Sequence, residues 1–361
     1  MTAAGFQIAV LPGDGIGPEV IEVAVEVLQA AAEQHGVAID VECHRVGGAA
    51  VDAEGSAISE HTFARCRQAG AILFGATGGP AWDHLTDHRR PGSALIRLRR
   101  TLDLCVNLRP VRLHPGLESR SSLRAEIARG CDLVIVRELA GGIYYGNSGR
   151  SGTGATERAH DTMVYTRAEI TRVAHAAFRL AARRRGRLTS VDKANVLSSG
   201  RFWREVVTEV GAEYPEIILE HALVDSFALR LLQHPSDLDV VLAENLFGDI
   251  LSDEAAALCG SIGLLPSASL PAGGAGGPAL YEPVHGSAPD IAGLGVANPI
   301  GAILCVSLLF QHSLGRLDAA AGVSRAVDEV LAAGVLTADL GGSATTREVG
   351  DAVLASLDAG G

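Results

Sequence analysis

FQIAVLPGDGIGPEV, Phe6–Val20, decides the fold class of this chain. Phe6–Leu11 is apolar and too short for a helix, so it reads as a buried strand. PGDGIG follows as a tight turn. Pro18 then opens a helix that runs to about His35, where Gly36 stops it. Strand, glycine-rich turn and helix in that order begin a layered α/β fold. The turn resembles a dinucleotide loop only superficially. It is not GxGxxG, and no acidic residue ends a second strand about 20 residues on. A Rossmann fold is therefore not expected.

The pattern repeats outward from this stretch. AILFGA (Ala71–Ala76) is a second buried strand, and the runs around Leu133–Val136, LTSVDKAN, IILEHALV and LDVVLAEN continue the theme. Helices are expected at Arg167–Arg185, Ser198–Val210, Asp225–Gln233, Leu246–Cys259, Pro299–Ser313 and Ala319–Ala332. Strands spaced by helices imply an α/β fold with a mixed, largely parallel sheet. In such folds, site residues gather at strand C-terminal ends. Polar residues fall at such ends in Arg137–Glu138, Asp192–Lys193 and Glu244–Asn245. PAGGAGGPA (Pro271–Ala279) reads as a flexible surface loop.

Composition limits the function. The 361 residues are 47% hydrophobic and 20% charged, enough for one large or two medium domains. A net charge of −12 argues against nucleic-acid or anionic-membrane binding. No apolar run is long enough to span a membrane. The six cysteines are scattered, with no CxxC and no histidine spacing typical of zinc, which points to a reducing, cytoplasmic compartment. Basic residues cluster at Arg89–Arg100 and Arg109–Arg112, as suits a small anionic substrate, whereas Arg183–Arg187 reads as the solvated end of a helix.

Several segments carry candidate chemistry. FGDILSDEA (Phe247–Ala255) places Asp249 and Asp253 on one helical face, one turn apart. Two carboxylates there repel each other, unless a hard cation such as Mg²⁺ or Mn²⁺ sits between them; the alternative is a charged turn facing water. Arg99, Arg109 and Arg137 interrupt apolar stretches, and a guanidinium in such a place needs an anionic partner, either a substrate carboxylate or a structural ion pair. Lys193 ends a strand and is a proton-transfer candidate or a surface lysine. Tyr144 in GGIYYG is a proton donor or a packing residue. His285 in EPVHGSAPD cradles a cofactor ring or is a turn imidazole.

Eight segments, LPGDGIGPEV, VGGAAVDAEG, GATGGPAWD, LDLCVNLRPV, VIVRELAGGIYYG, SVDKANVL, FGDILSDEA and YEPVHGSAPDIAGLGVANP, fall within residues 8 to about 314. Together they resemble, in order, the isocitrate/isopropylmalate dehydrogenase family of metal-dependent β-decarboxylating dehydrogenases. The resemblance implies a two-domain α/β fold distinct from the Rossmann fold. Residues 1–104 and 262–361 would form the cofactor-side domain, and residues 105–261 the second, with a dimerisation arm at about 142–166. It implies a homodimer with shared active sites. Arg99, Arg109 and Arg137 would hold the two carboxylates of a substituted malate, Tyr144 would be the general acid, and Lys193 would reach in from the partner. Asp249 and Asp253, with Asp225 of the second copy, would bind Mg²⁺ or Mn²⁺. Asp225 also borders the substrate. Ile16, Glu282, His285, Gly286, Ser287, Ala288, Asp290 and Asn298 would line the cofactor site. Asp290, where NADP-dependent relatives carry lysine, implies NAD⁺.

Substrate choice would rest on RPGSALIRLR, with Leu95 and Ile96, and on Val196 of the partner. This apolar set implies 3-isopropylmalate and leucine biosynthesis, and it argues against substrates with a third carboxylate. Gly92 departs from the glutamate of isopropylmalate enzymes, which leaves open another 3-alkyl- or 3-arylmalate such as benzylmalate. A non-catalytic subunit of a heteromeric dehydrogenase would have lost an arginine, tyrosine or aspartate of this set, and none is missing. A metal-dependent phosphatase on Asp249 and Asp253 would leave YEPVHG unexplained.

Overall fold

The turn after β1 (Phe6–Gly13) closes tightly onto a neighbouring strand. Gly13 has a φ of 78°, and a Cβ there would lie 1.8 Å from the Ala76 carbonyl, so only glycine fits. The computed structural model describes residues 5–272 and 277–359; residues 273–276, the middle of the segment expected to be a flexible loop, lie outside them.

The strands that follow are β2 (Ile39–Cys43), β3 (Ala71–Ala76), β4 (Leu104–Arg112), β5 (Asp132–Glu138), β6 (Ser148–Ser151), β7 (Arg158–Asp161), β8 (Arg187–Asp192), β9 (Ile218–Leu223), β10 (Val240–Ala243), β11 (Pro266–Pro271) and β12 (Ala279–Pro283). Ten of them form one sheet in the order β2-β1-β3-β12-β11-β4-β5-β10-β8-β9. The flanks β2-β1-β3-β12 and β5-β10-β8-β9 are parallel. The centre, β12-β11-β4-β5, is antiparallel. The sheet is therefore mixed and mostly parallel, as expected. β6 and β7 pair only with each other, as an exposed hairpin.

The helices are α1 (Gly17–Gln34), α2 (Gly48–Glu54), α3 (Glu60–Gln68), α4 (Ser93–Thr101), α5 (Ala125–Ala128), α6 (Arg167–Ala182), α7 (Ser198–Gly211), α8 (Val224–Gln233), α9 (Asn245–Cys259), α10 (Ile300–His312), α11 (Leu317–Ala332) and α12 (Thr346–Ala359). α10 is buried on nearly all sides, because it packs on β11 and β12 beneath α1 and α11. That is why ILCVSLLF lacks a polar face. The described cysteines are all free, and only Cys43 is exposed.

Two readings need correction. IILEHALV is not a buried strand: β9 is the sheet's edge, and none of its residues is fully buried. Arg183, Arg185 and Arg187 are exposed, as a solvated helix end would be, but Arg184 and Arg185 are also tied to the interior. Arg184 pairs with the buried Asp239 at 2.8 Å and with Asp132 at 2.9 Å, and Arg185 donates to the Leu238 carbonyl. These arginines tie the end of α6 to the starts of β5 and β10, satisfying a carboxylate that would otherwise be stranded in the interior.

Candidate active site

α9 lies across β4 and β5 on the face from which Asn107, Arg109 and Arg137 project. Glu244 starts the helix. Its side chain accepts from the amides of Leu246 (3.1 Å) and Phe247 (2.9 Å), and from the Tyr165 hydroxyl at 3.1 Å. Gly248 allows the close approach, since a Cβ there would meet the Arg137 Cβ at 2.8 Å. This seating brings Asp249, Ser252 and Asp253 over the two arginines.

Both guanidiniums are buried and fully engaged. Arg137 donates to Asn245 Oδ1 through Nε (3.0 Å) and Nη2 (2.8 Å), and to Asp249 through Nη1. Asn245 is oriented in turn by donating to the Gly141 carbonyl at 2.9 Å. Arg109 donates to Asn107 (2.9 Å) and Ser252, and lies 3.4 Å from both Asp249 and Asp253. Burial, with Arg109 beside it, pushes Arg137 down to about 10, which leaves it charged at neutral pH. Burial likewise lowers Arg109, and Arg99 depresses both. Arg99 itself is held by the buried Glu282 of β12. Three cations thus converge: Asp249 and Asp253, of the segment expected to bind metal, balance Arg109 and Arg137, and Glu282 balances Arg99.

Tyr144 stands at the mouth of this cluster, half-exposed. Its hydroxyl donates to Asp249 Oδ2 at 2.6 Å, and Arg137 lies over its ring at 5.4 Å. Burial and the Asp249 bond raise its pKa, so the phenol keeps its proton at neutral pH. Asp253 is also raised by burial. On α4, Ala94 and Leu98 face the core, Leu95 is half-buried and Ile96 is exposed. Gly92 caps that helix, and nothing lies within 4 Å of where its Cβ would be.

Lys193 and Asp225 are not part of this cluster. They pair with each other at 2.8 Å, with Val196 exposed beside them. Among the described residues, no histidine, cysteine or third carboxylate joins Asp249 and Asp253 at ligating distance. The two aspartates are oxygen donors of the kind hard cations take, but one chain supplies only part of a shell.

The expected cofactor segments come together at the far end of β1. The Ile16 amide donates to the Ser287 carbonyl at 2.8 Å, and a Cβ on Gly15 would strike that same oxygen at 1.9 Å. Ala288 holds a positive φ of 37°. His285 is buried, its Nδ1 lies 2.9 Å from the Gly286 carbonyl, and its Nε2 has no hydrogen-bond partner. A buried imidazole nitrogen without a partner suits a ligand heteroatom. Asp290 is exposed and Gly286 open. Asn298 spends its carbonyl on the Ile300 amide and donates its amide to Asp339, each at 3.0 Å.

A family model described as isocitrate/isopropylmalate dehydrogenase matches residues 7–353. The chain belongs to the isocitrate/isopropylmalate dehydrogenase family. It is 52% identical to the 3-isopropylmalate dehydrogenase of Sodalis glossinidius, covering all of both chains. It is 50% identical to that of Anaeromyxobacter dehalogenans, over 97% of this chain and 99% of the relative. Among solved structures, the isocitrate dehydrogenase of Methylococcus capsulatus superposes with a TM-score of 0.86 at 32% identity, over 97% of this chain and 99% of that one. A β-decarboxylating dehydrogenase of Thermococcus kodakarensis gives 0.79 at 39% identity, over 98% and 96%. The chain is therefore a decarboxylating dehydrogenase, as its motifs implied.

The motifs did not single out the residues that hold this family member's arginines. Asn107, Asn245 and Ser252 fix the guanidiniums, and Asp14 accepts from the amides of Gly48, Ala49 and Gly78 to brace the first turn. Asn245 stood out as a polar strand end; the others carry no local signal.

Proposed function

We propose that this dehydrogenase oxidises and decarboxylates (2R,3S)-3-isopropylmalate to 4-methyl-2-oxopentanoate and CO₂, with NAD⁺ and Mg²⁺ or Mn²⁺, as a cytoplasmic homodimer of leucine biosynthesis. The observation that carries the reading is the convergence of Arg99, Arg109 and Arg137 beside two aspartates, with the apolar Leu95 and Ile96 on the same helix as Arg99. Three cations match a dicarboxylate, and an alkyl group finds its surface one turn away.

When bound, NAD⁺ would take the hydride from C2, and the cation would polarise the C2 oxygen. The chain's residues do the rest. The arginines orient both carboxylates, releasing Asp249 and Asp253 for the cation. Lys193, with Asp225, both from the second copy, removes the C2 hydroxyl proton. After CO₂ leaves, the Tyr144 phenol gives its proton to C3 of the enol. Asp290 accepts from a ribose 2′-hydroxyl and repels a 2′-phosphate, so NAD⁺ is preferred. The isolated β6–β7 hairpin, and Leu229 and Ile250 exposed on the packed helices α8 and α9, support a dimer, because a lone two-stranded hairpin is marginal in water. In the proposed division into two domains, the boundary falls between β11 and β4.

The open space at Gly92 favours a second reading, a bulkier C3 group such as benzyl. A pocket distinguishes one methylene by only about 1–3 kcal/mol. The test is NADH formation from 3-isopropylmalate with Mg²⁺, against NADP⁺ and a chelator as controls. Equal or faster reduction of NADP⁺ would overturn the Asp290 assignment, and chelator-insensitive turnover would overturn the metal's role.

A further inference from the structure

Among the described residues, one group of ligating side chains lies outside the dehydrogenase site: Glu42 on β2, His44 just beyond it and His61 on α3. Each offers one ligand atom, and these atoms lie within 4.8 Å of one another. His44 is the unusual member. Its side chain is only 8% exposed, yet its Nε2 has no hydrogen-bond partner and points at Glu42 Oε1, 3.4 Å away. A buried polar atom with only this long ion-pair contact is incompletely satisfied, and a cation between the two groups would complete both.

The surroundings orient all three groups. The His44 amide donates to the Val10 carbonyl at 2.9 Å, which fixes the ring's origin beside β1. Arg65 donates its Nε (2.8 Å) and Nη2 to Glu42 Oε2 alone, leaving Oε1 turned toward His44. An outer partner on a carboxylate is how ligating oxygens are held in place. The two imidazoles stand edge to face, with centroids 5.9 Å apart. His61 is exposed, and with His44 it lines a cleft of ≈ 640 Å³ bordered by Pro12, Arg45 and Ser59.

We propose that Glu42, His44 and His61 form a second cation site, for a borderline ion of the zinc class. Two imidazoles and one carboxylate select Zn²⁺, Co²⁺ or Ni²⁺ over Mg²⁺. Zn–N and Zn–O bonds of about 2.0–2.2 Å in a tetrahedron place ligand atoms about 3.4 Å apart. The Glu42–His44 pair already has that spacing, and rotation of His61 supplies the third ligand, with the cleft giving water the fourth position. The ion would clamp α3 to the edge strand β2, stabilising the fold without touching the dehydrogenase chemistry.

The test uses the full chain with saturating Mg²⁺ and Zn²⁺ alone as the probe, titrated against a chromophoric chelator. The wild type is expected to withdraw one Zn²⁺ per chain more than His61→Ala or Glu42→Gln. Its thermal midpoint should rise with Zn²⁺ while theirs stays fixed. Because His61 is exposed, its loss leaves the fold and basal activity intact. Asp253→Asn should keep the extra Zn²⁺. The proposal fails if His61→Ala withdraws as much Zn²⁺ as wild type, or if Asp253→Asn loses the extra ion.

Discussion

At the scale of single residues, Tyr144 and Glu138 offer the sharpest tests. Tyr144 donates to Asp249 and holds its proton at neutral pH, the state an acid must be in. Tyr144→Phe is expected to lower kcat by about 10²–10⁴ with little change in KM, measured by NADH and CO₂ release; unaltered turnover would remove Tyr144 from the mechanism. Glu138 is buried, and burial pushes it up to about 7 even though it accepts from the Ala140 and Gly141 amides. The folded state therefore holds a proton that the unfolded chain releases near its ordinary value. Stability should fall as pH rises from about 4.5 toward 7, by roughly 3 kcal/mol at most, and Glu138→Gln should flatten that slope in thermal melts. The Asp249–Asp253 spacing was legible because a helix converts four residues into one turn. Ser252 and Asn107 were not, because their roles depend on which strand a helix lands upon.

At the scale of elements, α9 is the part that assembles the site. Its seating depends on Gly248, where a Cβ would lie 2.8 Å from that of Arg137. Gly248→Ala should cost about 1–3 kcal/mol of stability and raise KM for the dicarboxylate, because the helix must lift from β5. Unchanged KM and melting would mean that the contact relaxes freely. Buried strands and amphipathic helices were readable from their periods. β9 was misread because an edge strand and a buried strand share the same apolar run, and only the sheet order separates them. The Arg184–Arg185 cluster was misread because Asp239, its partner, is distant in sequence.

At the scale of the whole molecule, the proposed sharing of sites between two copies makes a stringent prediction. Lys193 and Asp225 pair with each other, apart from the Asp249 cluster, so under the proposed sharing one chain holds two half-sites. Asp225→Asn and Asp249→Asn should each be inactive, yet co-expressed they should recover about a quarter of wild-type activity, since mixed dimers contain one intact site. No recovery from purified mixed dimers would mean that each chain works alone. The fold was legible at this scale because its motifs recur in order; the His44 site was not, because His44 and His61 meet only through the packing of α3 on the sheet.

The most direct test of the assigned chemistry is a kcat/KM series for NAD⁺ reduction with Mg²⁺ across 3-isopropylmalate, 3-benzylmalate, malate, tartrate and isocitrate. The account predicts the highest value for 3-isopropylmalate, matched by stoichiometric CO₂. Preference for isocitrate, or no reduction with any 3-substituted malate, would contradict it.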